Sequence, residues 1–561
     1  MSSPLNGAQI ICRLLERQGV RTVYGIPGGA ALPLYDALSQ SRLRHVLARH
    51  EQGSGFMAQG HARATGEVGV CIATSGPGAT NLLTAIADAK LDSIPLVALT
   101  AQVPTALIGT DAFQEVDTLS LAKPITKAAF FAHSVHELLT LIPEAFRLAL
   151  SGRPGPVLID IPKDIQLATM SVEQWPEPGS RMPSPAPQST ELAAALALIL
   201  QAQRPILYLG GGVMHAGVGD LARQLAERLD SPTVLTLMGL GALPPEHPLY
   251  LGMLGMHAAP FTNRALDDSD LLVAIGARFD DRATGKLNTF CAHAKVIHVD
   301  IDARELGKLR QPQAAVHADA KDAIKALLRI LPQQDHGAWR WDVARLKAAH
   351  PMRLAGLDDL RQPYGLIREC ARLMPDAVVT SDVGQHQMWV AQAFPFRRER
   401  HWLTSGGLGT MGFGLPAAIG AALADPSRPA LCFSGDGSLL MNLQEFATAS
   451  EQGADVKVVL LDNQSLGLVH QQQDLFYGQR RYASEFQSGP DWARLARAFG
   501  WQAWDLGSEP DAEGALAEAL RTPGPVLVRV PLSPHAKVFP MVAPGGSNMD
   551  MLLELPEKAM S

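Results

Sequence analysis

The segments ALCFSGDGS, residues 430–438, and VKVVLLDNQS, residues 456–465, decide the fold of this chain. Each begins as an apolar run typical of a buried strand and ends on polar residues at the strand's carboxyl end. The glycines of the first segment let the backbone approach a diphosphate, and Asp436 and Asn463, separated by 463 − 436 = 27 residues, offer the oxygen ligands that Mg²⁺ prefers. Gly-Asp-Gly alone is an ordinary turn, but with a second ligand at a second strand end it predicts a ligand site in an open α/β sheet.

The alternation of short apolar strands and helical segments continues along the chain. Strand-like segments include VGVCIAT, PLVALT, GPVLIDI, RPILYLG, DLLVAIG, AKVIHVD and DAVVTSD. Such alternation predicts parallel sheets covered by helices. A Pro/Ser-rich stretch at 171–190 and a polar, helical stretch at 332–362 connect the sheets, so we expect three domains at 1–170, 190–335 and 362–561.

The first and third domains are similar in sequence. CIATSGPGATNLLTAI at 71–86 and LCFSGDGSLLMNLQEF at 431–446 share a strand, a Ser-Gly-x-Gly turn and a helix at an offset of 434 − 75 = 359. The helical segments NGAQIICRLL and PYGLIRECARL align on Gly7 and Gly365 at 365 − 7 = 358. All α/β units resemble one another to a degree, but two near-equal offsets favour a duplicated domain on either side of a different, Rossmann-like one. The expected fold class is α/β, with three doubly wound parallel sheets.

Composition limits the classes of partner. Hydrophobic residues make up 47% and charged residues 18% of the 561, with a formal net charge of -7, which is typical of a folded protein and does not favour nucleic acid. Five scattered cysteines do not suggest a disulfide framework. The N-terminal residues lack the pattern of a secretory signal and no apolar run is long enough for a membrane span, so we expect no membrane association and a cytoplasmic location.

Eleven further segments extend the pattern beyond the two strand ends. They are YGIPGG, RHEQGSGFMAQGHARATG, TSGPGATN, GTDAFQE, SGRPGPVLIDIPKDIQ, TLMGLGA, LGMLGMH, GARFDDRATGKLNTF, DVGQHQMW, GLGTMGFGLPAA and HAKVFPMVAPGGSNMDM. With GDGS and the downstream Asn, they resemble the segments of acetohydroxyacid synthase large subunits, which are thiamine diphosphate-dependent enzymes. The resemblance implies thiamine diphosphate (ThDP), Mg²⁺ and FAD as cofactors, and a C-terminal tail that closes over the site.

The activity that the resemblance implies is a decarboxylation followed by a ligation. Pyruvate would lose CO₂, and its hydroxyethyl unit would join a second 2-keto acid, either pyruvate or 2-ketobutyrate. The products, 2-acetolactate and 2-aceto-2-hydroxybutyrate, belong to branched-chain amino acid biosynthesis. A simple 2-keto acid decarboxylase or oxidase on the same fold, and a catalytically silent subunit, are the alternatives.

Glu51, in the sequence Arg49-His50-Glu51, matches the family's glutamate that hydrogen-bonds the aminopyrimidine of ThDP. A carboxyl group in that place shares a proton with the ring and promotes the tautomer that acts as base. Taken alone, a glutamate at a helix start is an ordinary solvated charge, and the resemblance favours the catalytic role. In the family this glutamate serves a cofactor held by a partner chain. A homodimer is then the minimum active unit, and both a tetramer and a separate regulatory small subunit are compatible with the sequence.

The resemblance assigns further residues to the site. The catalytic and substrate set is Glu51, Gln102, Phe113, Lys163, Arg278 and Met411. The ThDP set is Gly25, Gly384, Gln385, His386, Gly435, Gly437 and Ser438, and the metal ligands are Asp436, Asn463 and Ser465. The FAD set is Gly210, Gly211, Gly212, His257, Gly276, Arg278 and Asp300. Arg278 is also expected to bind the carboxylate of the acceptor keto acid, which a guanidinium grips with two hydrogen bonds.

Three positions depart from the family pattern. Gln472 stands where biosynthetic members have a Trp that favours 2-ketobutyrate, Leu468 replaces a usual Met, and Ala258 replaces a usual Gly beside the expected FAD contact. An amide cannot give the extra methyl group of 2-ketobutyrate the apolar contact of a Trp, which is worth about 1–3 kcal/mol. A pyruvate-selective enzyme of catabolic or specialised role is therefore an alternative.

Overall fold

Three six-stranded sheets form the frame of the chain in this computed structural model, which describes residues 4–555. Neighbouring strands within each of these sheets run parallel, as in the pairs between Leu96–Gln102 and Pro156–Pro162 or between Ala430–Gly435 and Val456–Asp462. The predicted fold class of three parallel α/β domains is confirmed. The domain limits stay predictions, and residues 1–3 and 556–561 of the outer two ranges lie outside the described residues.

The first sheet has the strand order β3-β2-β4-β5-β7-β6, and β1 and β8 form a separate antiparallel pair. The strands are β1 Leu5–Asn6, β2 Thr22–Gly25, β3 Arg44–Leu47, β4 Gly69–Ala73, β5 Leu96–Gln102, β6 Ala128–Phe131, β7 Pro156–Pro162 and β8 Thr169–Met170. The helices are α1 Gly7–Arg17, α2 Leu32–Ser39, α3 Glu51–Thr65, α4 Pro77–Asp92, α5 Thr118–Ala122, α6 Leu138–Leu150 and α7 Lys163–Leu167. The central strands are continuous apolar runs because helices cover both of their faces.

The middle sheet has the strand order β11-β10-β9-β12-β13-β14. Its strands are β9 Pro205–Leu209, β10 Thr233–Leu235, β11 Tyr250–Met253, β12 Leu271–Ile275, β13 Lys295–Asp300 and β14 Ala314–His317. Its helices are α8 Ser189–Ile199, α9 Gly211–Ala216, α10 Gly219–Leu229, α11 Pro260–Asp267, α12 Asp281–Thr284, α13 Ala320–Ile330 and α14 Gly337–Ala349. Numbered within the sheet, the order is 3-2-1-4-5-6, that of a Rossmann fold, whose ligand crevice lies where the order reverses, between β9 and β12.

The third sheet repeats the strand order of the first, as β16-β15-β17-β18-β20-β19. Its strands are β15 Val378–Ser381, β16 Trp402–Thr404, β17 Ala430–Gly435, β18 Val456–Asp462, β19 Gln502–Asp505 and β20 Val526–Pro531. Its helices are α15 Pro363–Leu373, α16 Gln385–Ala393, α17 Gly414–Ala424, α18 Asp436–Leu439, α19 Glu445–Gln452, α20 Gly467–Phe476, α21 Trp492–Ala498 and α22 Ala512–Arg521. The identical order supports the duplication predicted from the two sequence offsets.

Part of the predicted connecting stretch at 332–362 is packed rather than free. Helix α14 buries Trp339 and Val343 against the middle domain, and the Trp339 indole N–H donates to the Pro205 carbonyl at 3.0 Å. These two residues lie four apart, on one face of the helix. The Arg and Lys residues around Trp339 and Val343 give this segment its polar sequence, which is why the sequence predicts a connecting stretch there. Among residues 4–555, none of the helices combines the length and the apolar character that crossing a lipid bilayer requires.

Helices α3 and α17 join the first domain to the third through a glycine-mediated contact. A Cβ at Gly60 would lie 2.0 Å from the Ala417 carbonyl oxygen, and a Cβ at Gly420 would lie 1.9 Å from the Met57 carbonyl oxygen. The two backbones therefore touch, with a glycine on each side. Contact at this distance leaves the two domains little freedom to shift.

Gly60→Ala and Gly420→Ala are expected to destabilise the protein, because either methyl group meets a backbone oxygen of the opposing helix. Overpacking of this kind costs about 1–3 kcal/mol. Gly489→Ala is the control, since nothing lies within 4 Å of the carbon it would add. Urea unfolding followed by tryptophan fluorescence should give lower midpoints for the first two variants only. Equal midpoints for all three would contradict the close contact.

Candidate functional site

The predicted diphosphate site lies at the carboxyl ends of β15 and β17. The His386 ring packs beneath two glycines: a Cβ at Gly384 would lie 2.8 Å from the ring and one at Gly435 would lie 3.0 Å from it. The structure thus brings together the two loops that the sequence analysis assigned to ThDP. Burial lowers the pKa of His386 to about 3, so the ring is neutral.

Asp436 and Asn463, the predicted metal ligands, lie at the ends of the adjacent strands β17 and β18. Burial and the neighbouring Asp462 carboxylate raise the pKa of Asp436 to about 7. The Asn463 amide donates to the Gln385 side-chain oxygen at 3.2 Å. A cation would relieve the repulsion between the two carboxylates. The described residues hold no group of three or more His, Cys, Asp or Glu arranged for a metal.

Two buried polar atoms at this site have no hydrogen-bond partner among residues 4–555. They are Nε2 of His386 and Oγ of Ser465. Since buried polar groups are normally paired, each atom fits a role as a contact for a bound anion or metal. The predicted Ser438 hydroxyl, by contrast, already donates to the Val383 carbonyl at 3.1 Å.

Asp382, which the sequence analysis did not single out, holds three loops of this site in place. Its buried carboxylate accepts hydrogen bonds from the Ser434 hydroxyl at 2.6 Å and from the Gly414 backbone N–H at 3.0 Å. Ser434 precedes the GDGS turn and Gly414 follows Met411. The segment DVGQHQMW carried the signal, but no local pattern shows which of its side chains points inward.

Glu51 is the first residue of α3, at the carboxyl edge of the first sheet. The Asn81 side-chain N–H donates to Oε2 of Glu51 at 2.9 Å, and Gly78 lies so close that its Cβ would be 3.5 Å from Oε1. Both neighbours are on α4, after the TSGPG turn. Within the described chain, Glu51 shares no hydrogen bond with Asp436 or Asn463. Gly25 ends β2 at the same edge, where a Cβ would meet the Ile72 carbonyl oxygen.

Gln102, Lys163 and Phe113 lie on the neighbouring strand ends and loop. The Gln102 amide donates to the Val116 carbonyl at 2.8 Å and to the Asp160 carboxylate at 3.1 Å, so it anchors the loop that carries Phe113. Lys163 begins α7 directly after β7. Phe113 is 87% exposed in the single chain, an unusual position for an aromatic side chain.

A cavity of about 550 Å³ opens at the reversal point of the middle sheet and is walled by all three domains. Most of the predicted FAD set lines it, namely Gly211, Gly212, His257, Gly276, Arg278 and Asp300. Gly210 lies directly behind, where a Cβ would be 2.1 Å from the Gly276 oxygen. Sequence reasoning missed Arg153, Arg181, His215 and Asp319, which also line the cavity. Arg153 belongs to the matched segment SGRPGPV, whereas the other three carry no local signature.

Arg278 projects into this cavity from a strained turn. Phe279, the next residue, has a φ of 55° and is held by edge-on contacts with Tyr208 at 5.4 Å and His298 at 5.1 Å. The Arg278 Nη1 donates to the Leu91 carbonyl at 2.8 Å. Left-handed backbone at a bulky residue is costly, so the aromatic packing fixes the direction of Arg278.

Two of the three residues at which the sequence departs from the family pattern border the same cavity. Leu468 and Gln472, both on α20, line it together with Met541 of the C-terminal tail. The tail is fixed to α20 by Gln471, whose amide donates to the Val538 carbonyl at 2.8 Å and accepts from the Val538 N–H at 2.9 Å. Ala258, the third departure, is buried beside His257. The residues predicted to contact the acceptor and those predicted to contact FAD thus line one cavity.

Comparison with known protein families defines the class. Three family models match the chain: the N-terminal TPP binding domain of thiamine pyrophosphate enzymes at 5–121, their central domain at 192–327, and their C-terminal TPP binding domain at 382–530. Thiamine pyrophosphate (TPP) is ThDP. The fold and the site therefore define a ThDP-dependent enzyme, as the sequence predicted.

Individual relatives narrow the class. The chain is 54% identical over 550 residues to the acetolactate synthase isozyme 1 large subunit of Escherichia coli (strain K12), covering 98% of each chain. It is 48% identical to the isozyme 2 large subunit of the same organism over 98% of this chain and 100% of the relative. It is 44% identical to the chloroplastic acetolactate synthase of Arabidopsis thaliana over 98% and 85%, respectively. The chain belongs to the acetolactate synthase large-subunit family, also called acetohydroxyacid synthases.

Asn81→Ala is expected to lower turnover of the cofactor-loaded protein about tenfold, a part of the roughly 10²- to 10⁴-fold that a positioned acid–base group contributes. The reason is that Glu51 loses the donor that orients its carboxylate. Thr80→Ala, one residue away and exposed, is the control. Steady-state assays at saturating ThDP should separate the two variants, and equal turnover in both would show that Asn81 does not orient Glu51.

Proposed function

We propose that this chain is the catalytic subunit of an acetolactate synthase, which decarboxylates pyruvate and joins the hydroxyethyl unit to a second 2-keto acid. The observation that carries the proposal is the shared cavity. It holds Arg278, whose guanidinium is suited to a carboxylate, beside the loop that precedes α17 in the ThDP-binding third domain. A decarboxylase or an oxidase has no need of a second, carboxylate-bearing substrate, so Arg278 favours the ligation.

ThDP, when bound, supplies the carbon nucleophile that adds to a keto group and accepts the electron pair left by CO₂. The chain's residues would hold its two ends. Glu51 would exchange the proton with the aminopyrimidine, and the loops around His386 would receive the diphosphate. Asp436 and Asn463 would supply oxygen ligands to Mg²⁺, and the burial of Asp436 beside the Asp462 carboxylate, which raises the pKa of Asp436 to about 7, favours a bound cation there.

FAD fits the cavity at the reversal point of the middle sheet. Gly212 and Gly276 let the backbone approach closely, since a Cβ at Gly212 would lie 2.7 Å from the Gly276 Cα. Asp300 and Asp319 offer carboxylates for ribose hydroxyls, and Arg153 offers a cation for phosphate. FAD in this place needs no net redox role in the reaction.

The acceptor would bind between Arg278 and the tail. The guanidinium would take the acceptor carboxylate in two hydrogen bonds, which sets the keto carbon in reach of the nucleophile. Met541 of the tail lines the cavity on the side of α20, and Val538, buried earlier in the tail, is hydrogen-bonded to that helix through Gln471. Exclusion of water there protects the intermediate from protonation and release.

The working unit would be a homodimer, with each site shared between copies. Glu51 lacks any hydrogen bond to the metal-binding pair within the described chain, and Phe113 exposes 87% of its surface where a second copy would cover it. Several relatives are named large subunits, which supports a separate small subunit as a further partner.

The first experiment supplies the purified protein with ThDP, Mg²⁺ and FAD together with equimolar pyruvate and 2-ketobutyrate, and measures products by mass spectrometry. We expect both 2-acetolactate and 2-aceto-2-hydroxybutyrate. Acetaldehyde or acetate with neither ligation product would contradict the proposal. A Glu51→Gln variant with unchanged turnover would indicate a silent subunit.

Gln472→Trp should shift acceptor choice towards 2-ketobutyrate. The Gln472 side chain lines the cavity without a hydrogen bond to another described residue. A Trp there would contact the extra methyl group, and we expect the product ratio to change about tenfold. Val469→Trp, on the exposed side of the same helix, is the control. An unchanged ratio in the same mixed-substrate assay would show that position 472 does not contact the acceptor.

A further inference from the structure

Leu91, Asp92 and Ser93, at the end of α4, each form a hydrogen bond with a side chain that lines the cavity. The Leu91 carbonyl accepts from Arg278 at 2.8 Å, and the Asp92 carbonyl lies 3.0 Å from Nε2 of His215. The Ser93 hydroxyl accepts from Nε of Arg153 at 2.8 Å. The end of α4, in the first domain, therefore holds three side chains of the cavity lining in place, and two of them, His215 and Arg278, belong to the middle domain.

The Asp92 side chain reaches in the other direction, into the third domain. Oδ1 accepts from the Gly407 backbone N–H at 2.7 Å, and Oδ2 accepts from the Gly406 backbone N–H at 3.0 Å and from Nη2 of Arg63 at 2.8 Å. The carboxylate is fully buried. The loop lies so close to α4 that a Cβ at Gly407 would be 2.8 Å from the Leu91 Cβ.

The contacts of Asp92 matter for the site because they hold the loop 405–411. Residues 405–409 line the cavity, and Met411 is the residue predicted to support the cofactor. This loop connects β16 to α17, and residues 405–411 form no helix or strand of their own. Its backbone position therefore depends on the partners of its own N–H groups, two of which point at one carboxylate.

We propose that Asp92 is a positioning residue that sets loop 405–411, and with it the cofactor support at Met411 and the cavity wall. The proposal rests on the proposed function for its catalytic consequence. It assigns Asp92 no contact with substrate or cofactor. The carboxylate acts through the Gly406 and Gly407 backbone.

Asp88 offers a matched control in the same buried cluster. It also binds Arg63 and the loop, but its loop partners are the hydroxyls of Ser405 and Thr410. A hydroxyl can both donate and accept, so an amide at position 88 can be satisfied. All three partners of the Asp92 carboxylate only donate, so an amide at position 92 must turn its NH₂ group towards a donor.

The experiment compares Asp92→Asn with Asp88→Asn, which remove the same charge from the same cluster. In Asp92→Asn we expect kcat to fall about 100-fold, because a displacement of about 1 Å in a positioning element can cost that much, with a smaller change in the KM for pyruvate. We expect Asp88→Asn to stay within about threefold of wild type, as its amide remains paired. ThDP affinity, from quenching of tryptophan fluorescence, should weaken in Asp92→Asn only. Bound-flavin fluorescence should also change in that variant only.

Gly407→Ala is a second route to the same displacement. Its methyl group would lie 2.8 Å from the Leu91 Cβ and 3.0 Å from Oδ1 of Asp92, so it should push the loop away with the carboxylate still present and reproduce the changes in ThDP affinity and flavin fluorescence. If Asp92→Asn does not fold, the ThDP affinity and flavin fluorescence of Gly407→Ala decide whether the proposal stands. Equal cofactor binding and kcat in Asp92→Asn and Asp88→Asn, or wild-type values in Gly407→Ala, would overturn the proposal. The cofactor measurements need no turnover, so they stand even if the wild-type protein makes no acetolactate.

Discussion

The contact of α3 with α17 is the constraint on which the rest of the structure depends. Gly60 and Gly420 let two backbones touch, and this fixes the first domain against the third. Arg63, one helical turn beyond Gly60, then lies between Asp88, Asp92 and the β16 end, where it donates to the Thr404 carbonyl at 2.9 Å. The cavity walls come from three domains, so their spacing is only as well defined as this contact.

Duplication explains how one fold supplies both ends of a cofactor site. The first and third sheets have the same strand order and both carry their functional groups at the carboxyl edge. Their chemistry differs: the first edge presents the Glu51 carboxyl and its Asn81 donor, and the third presents glycine turns and the Asp436 carboxylate. The Rossmann-like sheet between them contributes a point where the strand order reverses, the place at which sheets of this kind bind ligands.

The sequence predicted those parts of the site that have local signatures. Strand ends, glycine turns and the GDGS-to-Asn spacing placed Asp436, Asn463 and the Gly384–His386 loop in one place, and the structure brings them together. Asn81, Asp382 and Asp92 were missed because each acts on a residue far away in sequence or on an unremarkable backbone N–H. The sequence predicts a connecting segment at α14 because only two residues of that helix are buried. These long-range contacts depend on how the domains pack, and a short stretch of sequence carries no information about that packing.

In the proposed homodimer, each active site takes Glu51 from one chain and Asp436, the predicted metal ligand, from the other. Co-expression of Glu51→Gln and Asp436→Asn chains with different affinity tags, followed by purification through both tags, yields mixed dimers with one intact site and one doubly altered site. Acetolactate formation at about half the wild-type rate per dimer is the predicted result, because the symmetric pairing puts both intact residues in one site. Activity no higher than that of either variant alone would contradict the account.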